Sequence, residues 1–124
     1  MEVIRIEGSD DTPQVVLDAE NKQFEIVGRS LPEDVVAFYK PVLDWLDEYM
    51  SKPADITNFV FRLEYFNTAS SKMILDVLQK LEQLNGQGHP TIITWFYESE
   101  DEDMLEPGEE YQELVEVPFD IVEY

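Results

Sequence analysis

The feature that most constrains the fold is a change of hydrophobic period at residues 66–68. Before it, Asp55 to Phe66 is dense in aromatic and β-branched residues and alternates with a period of two. After it, Met73, Ile74, Val77, Leu78, Leu81 and Leu84 recur at helical spacing. A strand that runs almost directly into a long amphipathic helix requires a layered architecture, because the helix must bury its apolar stripe against a sheet. Between the two periods stand Asn67, Thr68, Ala69, Ser70 and Ser71. Asn67 and Thr68 are both good helix caps, since a short side-chain oxygen can accept a backbone N–H that the first helical turn leaves unpaired. The same position sets a hydroxyl at the positive end of a helix dipole, where a phosphate is well tolerated. Capping and modification are therefore the two uses open to Thr68.

The rest of the chain supplies the layers. Val3 to Glu7, Thr12 to Asp18 and Gln23 to Gly28 read as three strands separated by polar turns, forming a β-meander or a hairpin pair. Ser30 is expected to cap the next helix, with Pro32 in the first turn and Glu33 as capping-box partner. Val35, Tyr39, Val42, Leu46 and Tyr49 form that helix's core stripe, and Pro41 inside it predicts a kink. On the central strand, Phe59, Phe61, Leu63 and Tyr65 are expected on one face, and Val60, Arg62, Glu64 and Phe66 on the other. Thr91 to Tyr97 reads as a fifth strand. A short helix is expected within Leu105 to Val115, shortened or bent by Pro107-Gly108, and Pro118 to Val122 supplies a last edge strand. The order β-β-β-α-β-α-β-α-β predicts an α/β fold: one domain over residues 1–124, with a mixed sheet of five or six strands, two long helices and one short one. The unit from Asp55 to Tyr97 is a βαβ crossover, and Asn67-Thr68 falls at the carboxyl end of its first strand, where such sheets place functional sites.

Charge and composition narrow the function. The 28 Asp and Glu against 8 Lys and Arg give a net charge of −20. That argues against nucleic acid or anionic membrane as a partner, since both are held by clustered cations. The lack of cysteine excludes disulfides, thiolate metal sites and a cysteine nucleophile. No apolar run approaches membrane-spanning length and the N-terminus lacks the order of a signal peptide, so the expected compartment is the cytoplasm. The one histidine, His89, lies in a Gly-His-Pro loop with no partner nearby to make it a general base. The run Glu98 to Asp103 lacks the glycine and ligand spacing of an EF-hand and reads as a solvated charge run. Neither a metal nor a cofactor is expected. Leu75 sits a quarter-turn off the core stripe, near Ser71; it is either a half-buried flank or part of a partner-binding patch.

Asn67-Thr68-Ala69-Ser70-Ser71-Lys72, preceded by Leu63-x-Tyr65-Phe66, resembles the phosphoacceptor segment of the SiaC-type regulatory phosphoproteins, small bacterial proteins related in shape to the STAS domains of anti-sigma-factor antagonists. The likeness extends through Thr12-Pro13, Gly28-x-Ser30-x-Pro32-Glu33, Asp44-Trp45-Leu46, the Gly88 loop and Pro118-Phe119. The resemblance implies a STAS-like fold and a non-enzymatic switch. Thr68 would be phosphorylated by a cognate Ser/Thr kinase and dephosphorylated by a PP2C-type phosphatase. The unphosphorylated form would bind and activate a diguanylate cyclase, raising cyclic di-GMP and promoting biofilm formation. Asn67, Ala69, Ser70, Ser71, Lys72 and Leu75 would then form the partner-binding surface. Members often carry a second hydroxyl directly after the threonine, where this chain has Ala69, which narrows the acceptor to Thr68, with Ser70 and Ser71 as outside candidates. Three other readings stand beside it: an anti-sigma-factor antagonist using the same hydroxyl, an enzyme with an acidic site, and an acidic mimic of nucleic acid.

Overall fold

The computed structural model describes all residues, 1–124. Its elements follow the expected order: β1 (Ile4–Ile6), β2 (Gln14–Asp18), β3 (Gln23–Ser30), α1 (Val35–Tyr49), β4 (Thr57–Phe66), α2 (Thr68–Gly86), β5 (Thr91–Tyr97), α3 (Glu102–Leu114) and β6 (Phe119–Glu123). The six strands form one sheet in the order β1-β2-β3-β4-β5-β6. The first two pairings are antiparallel and the last three parallel. Each parallel pair is joined through one helix to the very next strand. A right-handed crossover at every step puts all three helices on the same side of the sheet.

Burial agrees with that one-sided arrangement. Phe59, Phe61 and Leu63 of β4, Ile93 and Trp95 of β5, and Phe24 and Ile26 of β3 join the helical stripes in a single core of 25 buried residues. The alternate positions Asn58, Arg62 and Glu64 remain exposed. On this open face the Arg62 guanidinium lies over the rings of Phe96 and Tyr124, at 4.6 and 5.1 Å from their centroids. A cation thus shields two aromatic rings that no helix covers.

Three local expectations are corrected. The α1 cap is Asp34, whose side chain accepts from the Ala37 N–H, and Ser30 instead ends β3 as a buried residue. The helix α3 is longer than expected, 13 residues, and continues through Pro107-Gly108. The faces of β4 exchange near its end. Gly28 pairs with Leu63 but Arg29 pairs with Tyr65, so Glu64 is an extra residue in the ladder. Beyond this bulge Phe66 turns to the helical side, where it meets Trp95 edge-on at 6.2 Å. Tyr65 becomes 45% exposed, with the Arg29 guanidinium 5.4 Å from its ring centroid. Gly28 adopts φ +114°, a conformation that a side chain disfavours, at the point where the register slips.

Candidate functional site

The carboxyl ends of β3 and β4 and the first turn of α2 meet at one edge of the sheet. Asn67, in extended conformation, is the N-cap of α2: its Oδ1 accepts the Ser70 N–H at 2.8 Å. Its own N–H donates to the carbonyl of Ser30 on β3 at 3.2 Å. Thr68 is consequently the first helical residue and not the cap. It is exposed, and with Asn67 serving as cap its hydroxyl takes part in no hydrogen bond within the protein. Ala69 beside it is exposed as well, and so is Lys72 one turn on, which enters none of the ion pairs.

Beneath this surface lies a closed cluster of hydroxyls. Ser30 Oγ donates to Ser70 Oγ at 2.9 Å, Ser70 Oγ bonds the Ser30 carbonyl at 2.9 Å, and the Tyr39 hydroxyl is 2.7 Å from Ser30 Oγ. Burial pushes the Tyr39 phenol up to about 12, against the opposing effect of the Ser30 hydrogen bond, so it stays neutral. The cluster ties β3, α1 and α2 together directly under Thr68. Ser70 is fully buried within it, which corrects its assignment to a partner surface: its hydroxyl faces the core and fixes the helix start.

Ser71, Lys72 and Leu75 are brought together on one wall of a cleft of about 520 Å³ between α2 and α3. The end of β4, Glu64 to Phe66, closes one side, and Met104, Pro107, Tyr111 and Leu114 of α3 form the opposite wall. The Tyr111 hydroxyl donates to the Ser71 carbonyl at 2.7 Å, pinning α3 to the first turn of α2. Burial raises the Tyr111 pKa, and the neighbouring Tyr39 and Glu110 raise it further, so this donor also keeps its proton. Sequence reasoning missed the α3 wall. Its signal was the spacing of Met104, Pro107, Tyr111 and Leu114, obscured by the proline and glycine between them. Asp101 and Asp103, at the end of the Glu98–Asp103 run, also line this cleft, whereas His89 does not; the side chains contain no grouping of three or more acids or histidines able to hold a metal ion. No helix is long and apolar enough to cross a membrane.

Comparison with known proteins gives a consistent picture. Residues 6–124 match the model of the SiaC family, described as regulatory phosphoproteins. An uncharacterized protein of Pseudomonas aeruginosa (strain UCBPP-PA14) is 30% identical over 121 residues, covering 98% of this chain and 96% of its own. The structure of SiaC of Pseudomonas aeruginosa superposes with a TM-score of 0.91 at 28% identity, covering 100% of both chains. SiaC from the same organism, solved in complex with the diguanylate cyclase SiaD that it activates, gives 0.91 at 29% identity, covering 98% of this chain and 99% of that one.

Proposed function

This chain belongs to the SiaC family of regulatory phosphoproteins, and from that premise we propose that it is a non-enzymatic cytoplasmic switch whose state is set at Thr68. A cognate Ser/Thr kinase phosphorylates Thr68 and a PP2C-type phosphatase reverses it. The unphosphorylated protein binds and activates a diguanylate cyclase, as the related SiaC does with SiaD.

The observation that carries this reading is the division of labour between two adjacent residues. Asn67 performs the capping, so the Thr68 hydroxyl is both exposed and unengaged. A phosphate there would add about −1.5 to −2 charges at the positive end of α2. The helix dipole would favour it by about 0.3–1 kcal/mol, and Lys72 lies one turn away. The fold therefore tolerates the modification. A partner seated over a neutral Thr68 does not, because a charge left buried and unpaired in an interface costs about 2–5 kcal/mol. Each ~1.4 kcal/mol is tenfold in affinity, so binding changes by tens- to thousands-fold while stability hardly moves.

The test pairs two variants. Thr68→Glu is expected to fold normally and lose the cyclase; Thr68→Ala is expected to keep the cyclase and resist labelling by the kinase. Calorimetric binding and intact-mass analysis after kinase treatment read the two properties. Equal cyclase affinity for both variants, or kinase labelling that persists in Thr68→Ala, would overturn the assignment.

A further inference from the structure

We propose that the cleft between α2 and α3 is the groove in which the partner docks, and that its occupant is an amphipathic helix with an apolar edge flanked by lysine or arginine. This deepens the switch reading above and rests on it for the partner's identity.

The shape argument comes from α3. Met104, Pro107, Tyr111 and Leu114 follow one another at i, i+3, i+7 and i+10 and line the cleft. At about 1.5 Å per residue the stripe is roughly 15 Å long, enough to seat nearly three turns of a partner helix in the helix-in-groove manner. The apolar surface is available. Leu114 is 63% exposed, Tyr65 is exposed at one end, and half-buried Leu75 flanks the other wall.

Charge selects the occupant. The rim carries Glu64, Asp101, Asp103 and Glu110, with Lys72 the one cation among the lining residues. Beyond the rim, Glu106, Glu109 and Glu113 extend the negative field along α3. A second copy of this chain would bring its own net −20 to that rim, so self-association there is repelled. A cationic apolar helix is attracted and then held by desolvation of its anchors. Lys72 and Ser71 place the groove within one turn of Thr68, so phosphorylation acts at its mouth.

The experiment titrates the unphosphorylated, full-length, ¹⁵N-labelled protein with a synthetic helical peptide that carries leucines at i, i+4 and i+7 flanked by lysines. The control peptide has the same composition, scrambled so that the leucines share no face. Amide shifts are expected to concentrate in residues 64–66, 71–75 and 101–114, with the scrambled peptide at least tenfold weaker. The double change Asp103→Lys with Glu110→Lys is expected to weaken the first peptide at least tenfold. Glu109→Lys with Glu113→Lys, the same charge change outside the cleft, is expected to leave it within twofold. Equal binding of both peptides, or equal losses from both double variants, means attraction by bulk charge alone and overturns the groove. A cyclase arm separates the two readings. If wild type and the Asp103/Glu110 variant bind the cyclase alike while Thr68→Glu does not, the groove is wrong and the switch stands. If wild type binds no cyclase, the switch reading falls and the peptide arm alone decides the groove.

Discussion

Gly108 shows what a single missing side chain does here. A Cβ at this position would lie 2.6 Å from Trp95 Cδ1 and 2.7 Å from Trp95 Nε1, closer than real contacts allow. The absent methyl lets α3 rest on the indole, whose Nε1–H donates to the Met104 carbonyl at 2.9 Å. Gly108→Ala must displace either the helix or the indole, and overpacking of this kind costs about 1–3 kcal/mol. The expected result is a lower urea midpoint with an unchanged m-value and altered tryptophan fluorescence; an unchanged midpoint would show that the contact can relax freely. From sequence, Gly108 reads as a breaker, because a glycine's backbone freedom is visible in a sequence and its neighbour is not. Ser30 was misread for a related reason. It has the chemistry of a cap, but the hydroxyls that claim it, Tyr39 and Ser70, are 9 and 40 residues away.

At the scale of elements, the first turn of α2 offers a direct check on which residue caps it. Asn67→Ala removes the bond to the Ser70 N–H and is expected to cost about 0.5–2 kcal/mol. Thr68→Ala, one position into the helix and unengaged, is expected to change stability by much less. Thermal melts of both variants at matched pH make the comparison; a larger loss from Thr68→Ala would mean that the hydroxyl caps the helix and is not free for modification. The junction itself was legible, because both periods break there and the small polar residues have little other use. Thr91–Tyr97 was legible to the residue because it is a run of β-branched and aromatic residues bounded by Pro90 and Glu98. The bulge in β4 was not. It is a property of the pairing between Gly28 and Leu63, and a one-residue slip exchanges faces without leaving any mark in the strand's own composition. As a result the residues that flank the candidate site, Tyr65 and Phe66, are the ones whose faces were assigned the wrong way round.

For the whole molecule the governing quantity is the excess of carboxylates. Only three of the 28 Asp and Glu side chains form ion pairs, Asp18 with Arg5, Asp44 with Lys40 and Asp47 with Lys80. The others repel one another in the compact state more than in the expanded chain, and α3 alone carries Glu102, Asp103, Glu106, Glu109, Glu110 and Glu113. Screening should therefore stabilise the isolated protein. Raising NaCl from about 20 to 500 mM shortens the Debye length from roughly 20 Å to under 5 Å, and the melting temperature is expected to rise by about 3–6 °C, the shift that about 1 kcal/mol produces at this chain length. The complex should respond in the opposite direction. If a cationic helix is drawn to the acidic rim, the same salt weakens its association, chiefly through a slower on-rate. The two signs separate what one charge distribution does in two settings, since a specific stabilising effect of the salt on the fold could not by itself weaken the complex. A melting temperature that falls with NaCl would contradict the repulsion argument; affinity for the cationic helix that is indifferent to NaCl would leave the groove with apolar contacts alone and remove the charge-based choice of occupant.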